Sequence, residues 1–375
     1  MKKLLLLLPT LPAYREDFLT KLSESLKKEQ VELYVLYGST SARPILTIDK
    51  GQEYNTIKLK TIEKKIVGFN IITHQELYQT TKRLKPDGVI FLFNPGIISY
   101  WRVVGYCIFR KIPFGIWSCG YTRRDLSSSK VKFRQIFLDY FYRKAKVHIA
   151  YGSLHKSYLK SIGINENKIF IAQNTINVES ILKNKYDYHT NKSISTPLHI
   201  LFVGTMSKMK HLDTCMIAID RLISEGYNIT FNIVGKGNII DELKKIHNTL
   251  KNKNNIIFLG ELYGKELADF FLSSDVYLLA GNGGLAVNEA MAYGLPIIST
   301  IGDGTVGDLI DGNGFLLRKF GDIDEIYNTI ETFLHLSEEE RQIMRNKSVQ
   351  IIRERATLEN MVNKYMEAVN FLIEI

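Results

Sequence analysis

The residues best suited to chemistry lie in one stretch, Ala280-Gly-Asn-Gly-Gly-Leu-Ala-Val-Asn-Glu-Ala-Met-Ala-Tyr-Gly-Leu-Pro-Ile-Ile298. An apolar run, Val276–Leu279, reads as a strand that ends where a turn containing Gly283 begins. A helix is expected from about Gly284, with Glu289 on its second turn. The free amides of Gly284, Leu285 and Ala286 at its start suit an anion. The Glu289 carboxylate can accept two hydroxyl hydrogen bonds, as a ribose or sugar diol requires. Ala290, Met291 and Ala292 beside it predict a largely buried helix, where a charge needs a partner.

Two further glycine turns follow apolar runs. One is Phe202-Val-Gly-Thr205, followed by Lys208 and Lys210; the other is Val234-Gly-Lys-Gly237. Glycine lets a backbone approach a phosphate, and a lysine just beyond can neutralise a diphosphate. Each turn alone is a weak signal, because strand–glycine turns occur throughout α/β proteins. For Gly235–Gly237 an ordinary structural turn is the favoured reading.

These segments must be positioned by alternating strands and helices, which predict parallel sheets covered on both faces. Before residue 184 the strands are Leu4–Leu8, Val31–Tyr37, Gly88–Phe93, Pro113–Trp117, Val147–Ala150 and Ile169–Ala172. Helices are expected near Phe18–Leu26, Ile97–Arg110, Val131–Lys144 and Leu154–Ile162. The polar stretch Asn184–Pro197 reads as a linker. Alternation restarts at His199–Val203 and runs to the strand Pro296–Thr300. Three helical segments then close the chain, the last being Leu358–Ile373. The division expected is therefore 1–183 for a first α/β domain, 184–197 for the linker and 198–355 for a second α/β domain. A final helix, 356–375, is expected to pack back on the first domain.

In order and spacing, residues 198–335 resemble family-4 retaining glycosyltransferases of the GT-B fold. The matching pieces are Ile200-Leu-Phe-Val-Gly204 with Lys210, Ile233-Val-Gly-Lys-Gly237, Ile257-Phe-Leu-Gly-Glu-Leu262, Glu289-Ala-Met-Ala-Tyr-Gly-Leu-Pro296 and Gly312-Asn-Gly-Phe-Leu316. The first half resembles the family in architecture, with weak matches at Pro12-Ala-Tyr-Arg15 and Ile169–Asn177. The resemblance implies an α/β protein of two doubly wound Rossmann-like domains facing each other across a cleft. It implies Lys210 on the donor diphosphate and Glu289 on the ribose as catalytic residues. Gly204, Thr205, Lys208, Leu262, Gly283, Gly284, Leu285 and Ala286 would complete the donor site, and Cys119 falls on the family's acceptor-side loop; Asn94 and, from the basic charge of the first half, Arg123 and Arg124 are also expected to meet the acceptor. The sequence departs from the family at Gly281, where a glutamate is usual, at Thr205, where an arginine is usual, and at Cys119, where a histidine is usual.

The function implied is retaining transfer of a sugar from a UDP or GDP donor to a glycan or lipid-linked acceptor in surface polysaccharide synthesis. It needs no cofactor, and no aspartate cluster suggests a metal. Two alternatives stay open: a nucleotide-sugar 2-epimerase drawing on Asp303, Asp308 and Glu289, or a partner subunit that has lost catalysis.

Charge is divided unevenly over the 375 residues. Up to residue 190 there are 31 basic and 15 acidic residues, and thereafter 18 and 24, so the halves carry +16 and −6. A basic half favours a polyanion. Lys130, Lys132, Arg134, Arg143, Lys144 and Lys146 flank Phe133, Phe137, Tyr140, Phe141 and Tyr142, a composition suited to an anionic membrane surface and equally to a core helix. No nucleic-acid recognition motif appears. Hydrophobic content of 45% and charged content of 23% are those of a globular chain, which excludes a disordered tail or collagen-like fibre. Cys107, Cys119 and Cys215 form no CxxC pair, so neither a disulfide scaffold nor a zinc module is expected. Five leucines before Pro9 are too few for a secretory signal, and no run is long enough to span a bilayer. A cytoplasmic protein, peripheral on the inner face of the membrane or free of it, is expected.

Overall fold

The computed structural model describes residues 1–39, 54–66, 69–119, 138–183 and 197–374. The chain divides into two compact units, one of Met1–Asn177 with Leu358–Ile375 and one of Val178–Thr357. The division falls after Asn177, not after 183. The expected linker is outside the described residues except Pro197.

The first unit runs β1 (Lys2–Leu8), α1 (Glu16–Lys28), β2 (Val31–Tyr37), β3 (Asn55–Lys58), β4 (Thr61–Ile66), β5 (Phe69–His74), α2 (Leu77–Leu84), β6 (Gly88–Leu92), α3 (Ile98–Arg110), β7 (Phe114–Ser118), α4 (described over 138–144), β8 (Val147–Ala150), α5 (Ser153–Ser161) and β9 (Ile169–Ile171). Seven strands form a parallel sheet in the order β3-β2-β1-β6-β7-β8-β9, and β4 and β5 form a separate antiparallel pair. The leucine run is its central strand, and Leu4 to Leu8 are fully buried. Side chains alternate across a strand, so the run feeds two cores. Leu4, Leu6 and Leu8 join Phe18, Leu19, Leu22 and Leu26 of α1. Leu5 and Leu7 join Tyr100, Val103 and Val104 of α3.

The second unit runs α6 (Glu179–Lys183), β10 (Leu198–Val203), α7 (Leu212–Ser224), β11 (Ile229–Val234), α8 (Ile240–Thr249), β12 (Ile256–Gly260), α9 (Gly264–Ser273), β13 (Val276–Leu279), α10 (Leu285–Ala292), β14 (Ile297–Thr300), β15 (Gly314–Leu317), α11 (Ile323–Leu334) and α12 (Glu338–Arg355). Its six parallel strands are ordered β12-β11-β10-β13-β14-β15. The order reverses between β10 and β13, and ligands of such sheets bind outside the strand ends at that point.

The last helix, α13 (Leu358–Ile373), belongs to the first unit. Its Tyr365, Ala368, Val369 and Leu372 are buried in the core that α1 lines. Three strands, β3 to β5, and helix α2 were not expected from sequence, nor was β15. Of the helix expected over Val131–Lys144, residues 131–137 lie outside the described residues.

Candidate functional site

The loops after β10 and β13 meet at the switch point of the second sheet. After β10 the chain passes Gly204 (φ +153°) and a 3-10 turn, Lys208–Lys210, before α7. After β13 it passes Gly281, Asn282 and Gly283 before α10. The Asn282 amide donates to the Met209 carbonyl at 2.7 Å. Lys210 Nζ donates to the Asn282 carbonyl at 2.5 Å. A Cβ on Gly283 would lie 2.5 Å from the same ammonium, so only glycine lets Lys210 rest there. The ammonium is thus placed at the turn that leads into α10.

Gly284 is the N-cap of α10 and has no side chain to satisfy the helix start. Among the described residues no acceptor meets the amides of Gly284, Leu285 or Ala286. Asp303 approaches from the loop after β14, its oxygens 2.8 and 3.0 Å from a Cβ built on Gly284. That carboxylate accepts from the Thr305 hydroxyl at 2.6 Å and the Thr305 amide at 3.2 Å. Asp303 and Thr305 flank the helix start, a placement that sequence spacing alone did not suggest.

Glu289 sits on α10, half-buried, with no hydrogen-bond or ion-pair partner for its carboxylate among the described residues. Burial pushes its pKa up to about 7. The cost of a partnerless carboxylate at this depth is the kind that a hydroxyl-bearing ligand removes.

Gly281 takes on a structural meaning here. A Cβ would stand 2.2 Å from the Met209 carbonyl oxygen and 2.5 Å from Lys210 Cα. The Gly281 carbonyl accepts from Thr300 Oγ1 at 2.8 Å. The glycine is what allows the two loops to touch, so a side chain restored at 281 separates them. Gly281→Ala should lower the melting midpoint, with an overpacking cost of about 1–3 kcal/mol, and weaken donor binding together with it. An unchanged melt and unchanged donor affinity would show that the loops are not held as described.

The other expected donor residues are placed as follows. Lys208 is exposed and turned to Glu242 of α8, with 3.3 Å between the charges, so it is not gathered with Lys210 as a second phosphate ligand. Thr205 is exposed on the same loop. Leu262 is half-buried just beyond β12, where the Gly235 amide donates to the Gly260 carbonyl at 2.6 Å. The Gly235–Gly237 turn is a packing device: Cβ atoms there would lie 2.1 Å from the Gly204 carbonyl oxygen and 1.9 Å from that of Met206. Cavities of about 530 Å³ beside Arg318, Asp322 and Glu325, and of about 430 Å³ beside His74, Glu76 and Arg102, are lined by none of these residues.

In the first unit, Asn94 follows β6 and Cys119 follows β7, so adjacent parallel strands carry both at their carboxyl ends. Asn94 Oδ1 accepts from the Gly96 amide at 2.9 Å. Cys119 is half-buried against the core that contains Trp117. Arg123 and Arg124 lie outside the described residues.

With this geometry in place, comparison with known proteins shows what the chain is similar to. Residues 187–350 match the family described as Glycosyl transferases group 1. Among curated relatives, the chain is 27% identical over 275 residues to the Staphylococcus aureus capsular polysaccharide biosynthesis glycosyltransferase CapM, covering 66% of this chain and 70% of that one. It is 26% identical over 211 residues to a 41.2 kDa protein of the Klebsiella pneumoniae cps region, covering 55% and 56%. The chain thus spans little more than half the length of one of these relatives. Solved structures match nearly end to end. Anabaena HepE in complex with UDP superposes with a TM-score of 0.70 at 14% identity, covering 99% of this chain and 100% of that one. A Rickettsia africae glycosyltransferase does so with a TM-score of 0.69 at 16% identity, covering 100% and 99%. The likeness establishes the fold, which is the GT-B architecture of two Rossmann-like halves. The family match and the curated relative CapM are with glycosyltransferases, and the fold is the one their solved counterparts share.

Proposed function

We propose that the protein is a retaining glycosyltransferase whose second unit holds a nucleotide-diphosphate sugar and whose first unit holds a glycan or lipid-linked acceptor, in surface polysaccharide synthesis. The observation that carries this reading is the seating of Lys210 Nζ at Gly283, beside the acceptor-free amides that open α10. A cation and a helix N-terminus at one turn suit a diphosphate. Glu289, on the same helix, suits the ribose hydroxyls. UDP is the favoured nucleotide, because HepE was crystallised with it; GDP is the second choice. CapM and its kind support the polysaccharide assignment.

The negative charge that develops on the leaving diphosphate is met in this reading by Lys210 and the peptide amides, without a divalent ion. The protein is proposed to work on the cytoplasmic side. No helix among the described residues is long and apolar enough to cross a membrane.

A thermal-shift screen of UDP, GDP and ADP sugars in the presence of EDTA tests this directly. A ligand that binds only the folded chain raises its melting midpoint, by about 2.7 kcal/mol of stabilisation at a concentration 100 times Kd. At least one nucleotide sugar should do so with EDTA present. Failure of all of them removes the donor site, and a shift that needs added metal removes the metal-free mechanism.

A further inference from the structure

Arg15 has a setting that the donor chemistry does not use. It lies between β1 and α1 and is only 3% exposed. Its guanidinium stacks 4.2 Å from the Trp117 ring centre and 5.4 Å from that of Tyr14. Nη2 donates to the Tyr151 hydroxyl at 2.9 Å. Nε is buried with no acceptor, and no carboxylate pairs with the group, among the described residues. Glu16 and Asp17 follow it directly, yet Asp17 is turned to Asn177 at 2.8 Å. Tyr365 of α13 completes the enclosure, edge-on to Trp117 at 5.2 Å.

A buried cation is normally paired with an anion. Aromatic faces and a tyrosine hydroxyl offset part of its desolvation but bring no negative charge. The local backbone adds to the excess, since Arg15 stands at the positive end of the thirteen-residue α1. The position is also the one where a ligand is expected. The strand order of the first sheet reverses between β1 and β6, and Arg15 follows β1 as Asn94 follows β6.

We propose that Arg15 is the anion-binding residue of the first unit, and that its guanidinium takes a phosphate group carried by the acceptor. The source of the phosphate rests on the glycosyltransferase reading; the anion site itself does not. A planar guanidinium already held by stacking presents its remaining N–H groups to phosphate oxygens without further loss of freedom. Trp117 reports on the site, since an anion that draws on the guanidinium alters the field at the indole ring.

The chain contains two tryptophans, so Trp101→Phe leaves Trp117 as the sole emitter. In that background, inorganic pyrophosphate and a short-chain prenyl diphosphate are titrated separately while Trp117 emission is followed. A saturable change is expected with one or both. Tighter binding of the prenyl compound points to a lipid-linked acceptor, and equal binding to free phosphate. The change should be lost in Arg15→Gln and shifted to weaker binding, by about tenfold or more, in Arg15→Lys, which keeps the charge without the fork. It should persist in Lys210→Ala, where the donor diphosphate site is removed. In turnover, Arg15→Lys should raise the acceptor KM and leave the donor KM in place, whereas a purely structural role would lower kcat and the melting midpoint instead. Tyr151→Phe keeps Arg15 and should retain the response, which supplies a second folded variant if Arg15→Gln does not fold. A response that survives Arg15→Gln, disappears with Lys210→Ala or is absent from the Trp101→Phe protein overturns the proposal. If no nucleotide sugar binds but Trp117 still responds through Arg15, the glycosyltransferase reading falls and the anion site stands.

Discussion

Lys210→Ala is expected to slow sugar transfer by about 10²–10³-fold, the loss that follows removal of one preorganised charge-stabilising contact, about 2.7–4 kcal/mol. The Lys210 ammonium rests on the Asn282 carbonyl and against Gly283, one residue before the cap of α10. It is held by backbone on one side, so little reorganisation is needed when charge builds on the leaving diphosphate. The effect should therefore fall mainly on kcat, with a smaller rise in donor KM, because the charge is greatest in the transition state. Lys210→Met separates charge from packing, as it keeps most of the stem. It should lose as much rate as alanine and melt closer to the parent. Lys210→Arg should not rescue activity, since the ammonium lies so close to Gly283 that an added Cβ would be 2.5 Å from it, and a guanidinium is larger. Steady-state kinetics with near-normal kcat in the alanine or methionine variant would remove the mechanism.

Glu289→Gln should change stability and donor binding in opposite directions, and both changes should depend on pH. The folded chain raises the Glu289 pKa from 4.5 to about 7 through burial. Between those values the folded state holds a proton that the unfolded state has released, so stability falls as pH rises from about 4.5 to about 7. Above pH 7 the charged carboxylate costs up to about 3 kcal/mol, less in proportion to its remaining exposure. Glutamine does not titrate. The variant should thus melt higher than the parent at pH 8 and close to it at pH 5. Donor hydroxyls that hydrogen-bond the carboxylate favour its charged form, so donor binding should release a proton near neutral pH and tighten as pH rises through 7. In Glu289→Gln that dependence should vanish, with affinity lower by about tenfold, as befits loss of a charged hydrogen bond worth about 1.5–3 kcal/mol. Melting curves at pH 5 and 8, with calorimetric titration of the donor in two buffers of different ionisation heat, check both halves. A parent whose donor affinity is flat from pH 6 to 8 would exclude Glu289 as the hydroxyl ligand.

Much of the architecture was legible because buried parallel strands are continuous apolar runs. Leu4–Leu8 and Val276–Leu279 need no partner to be recognised. The missed strands lack that signal. Thr61–Ile66 reads TIEKKI, with an adjacent lysine pair, and it is paired only with Phe69–His74 outside the main sheet. Strand β15, of four residues, lies at a sheet edge and begins with glycine. In the candidate site, Lys210 and Glu289 could be singled out from the glycine turn and helix start beside them, but the contacts of Lys210 with Asn282 and of Asp303 with Thr305 could not. Gly281 looks in sequence like a missing glutamate; its tight contact with Met209 and Lys210 exists only once two loops seventy residues apart have met. Three glycines within four positions, Gly281, Gly283 and Gly284, were the only local hint. Arg15 was marked only by the weak match at Pro12-Ala-Tyr-Arg15, and its setting was hidden, because Trp117, Tyr151 and Tyr365 reach it from three distant parts of the chain.

The return of α13 to the first unit has a consequence for biogenesis. On the ribosome the strands of that unit emerge early, but the helix that covers Phe18 and Trp117 is made after the entire second unit. The second unit has all of its elements once α12 has left the ribosome. The first lacks the helix that covers its apolar flank until α13 follows, and only then can the aromatic enclosure around Arg15 be completed.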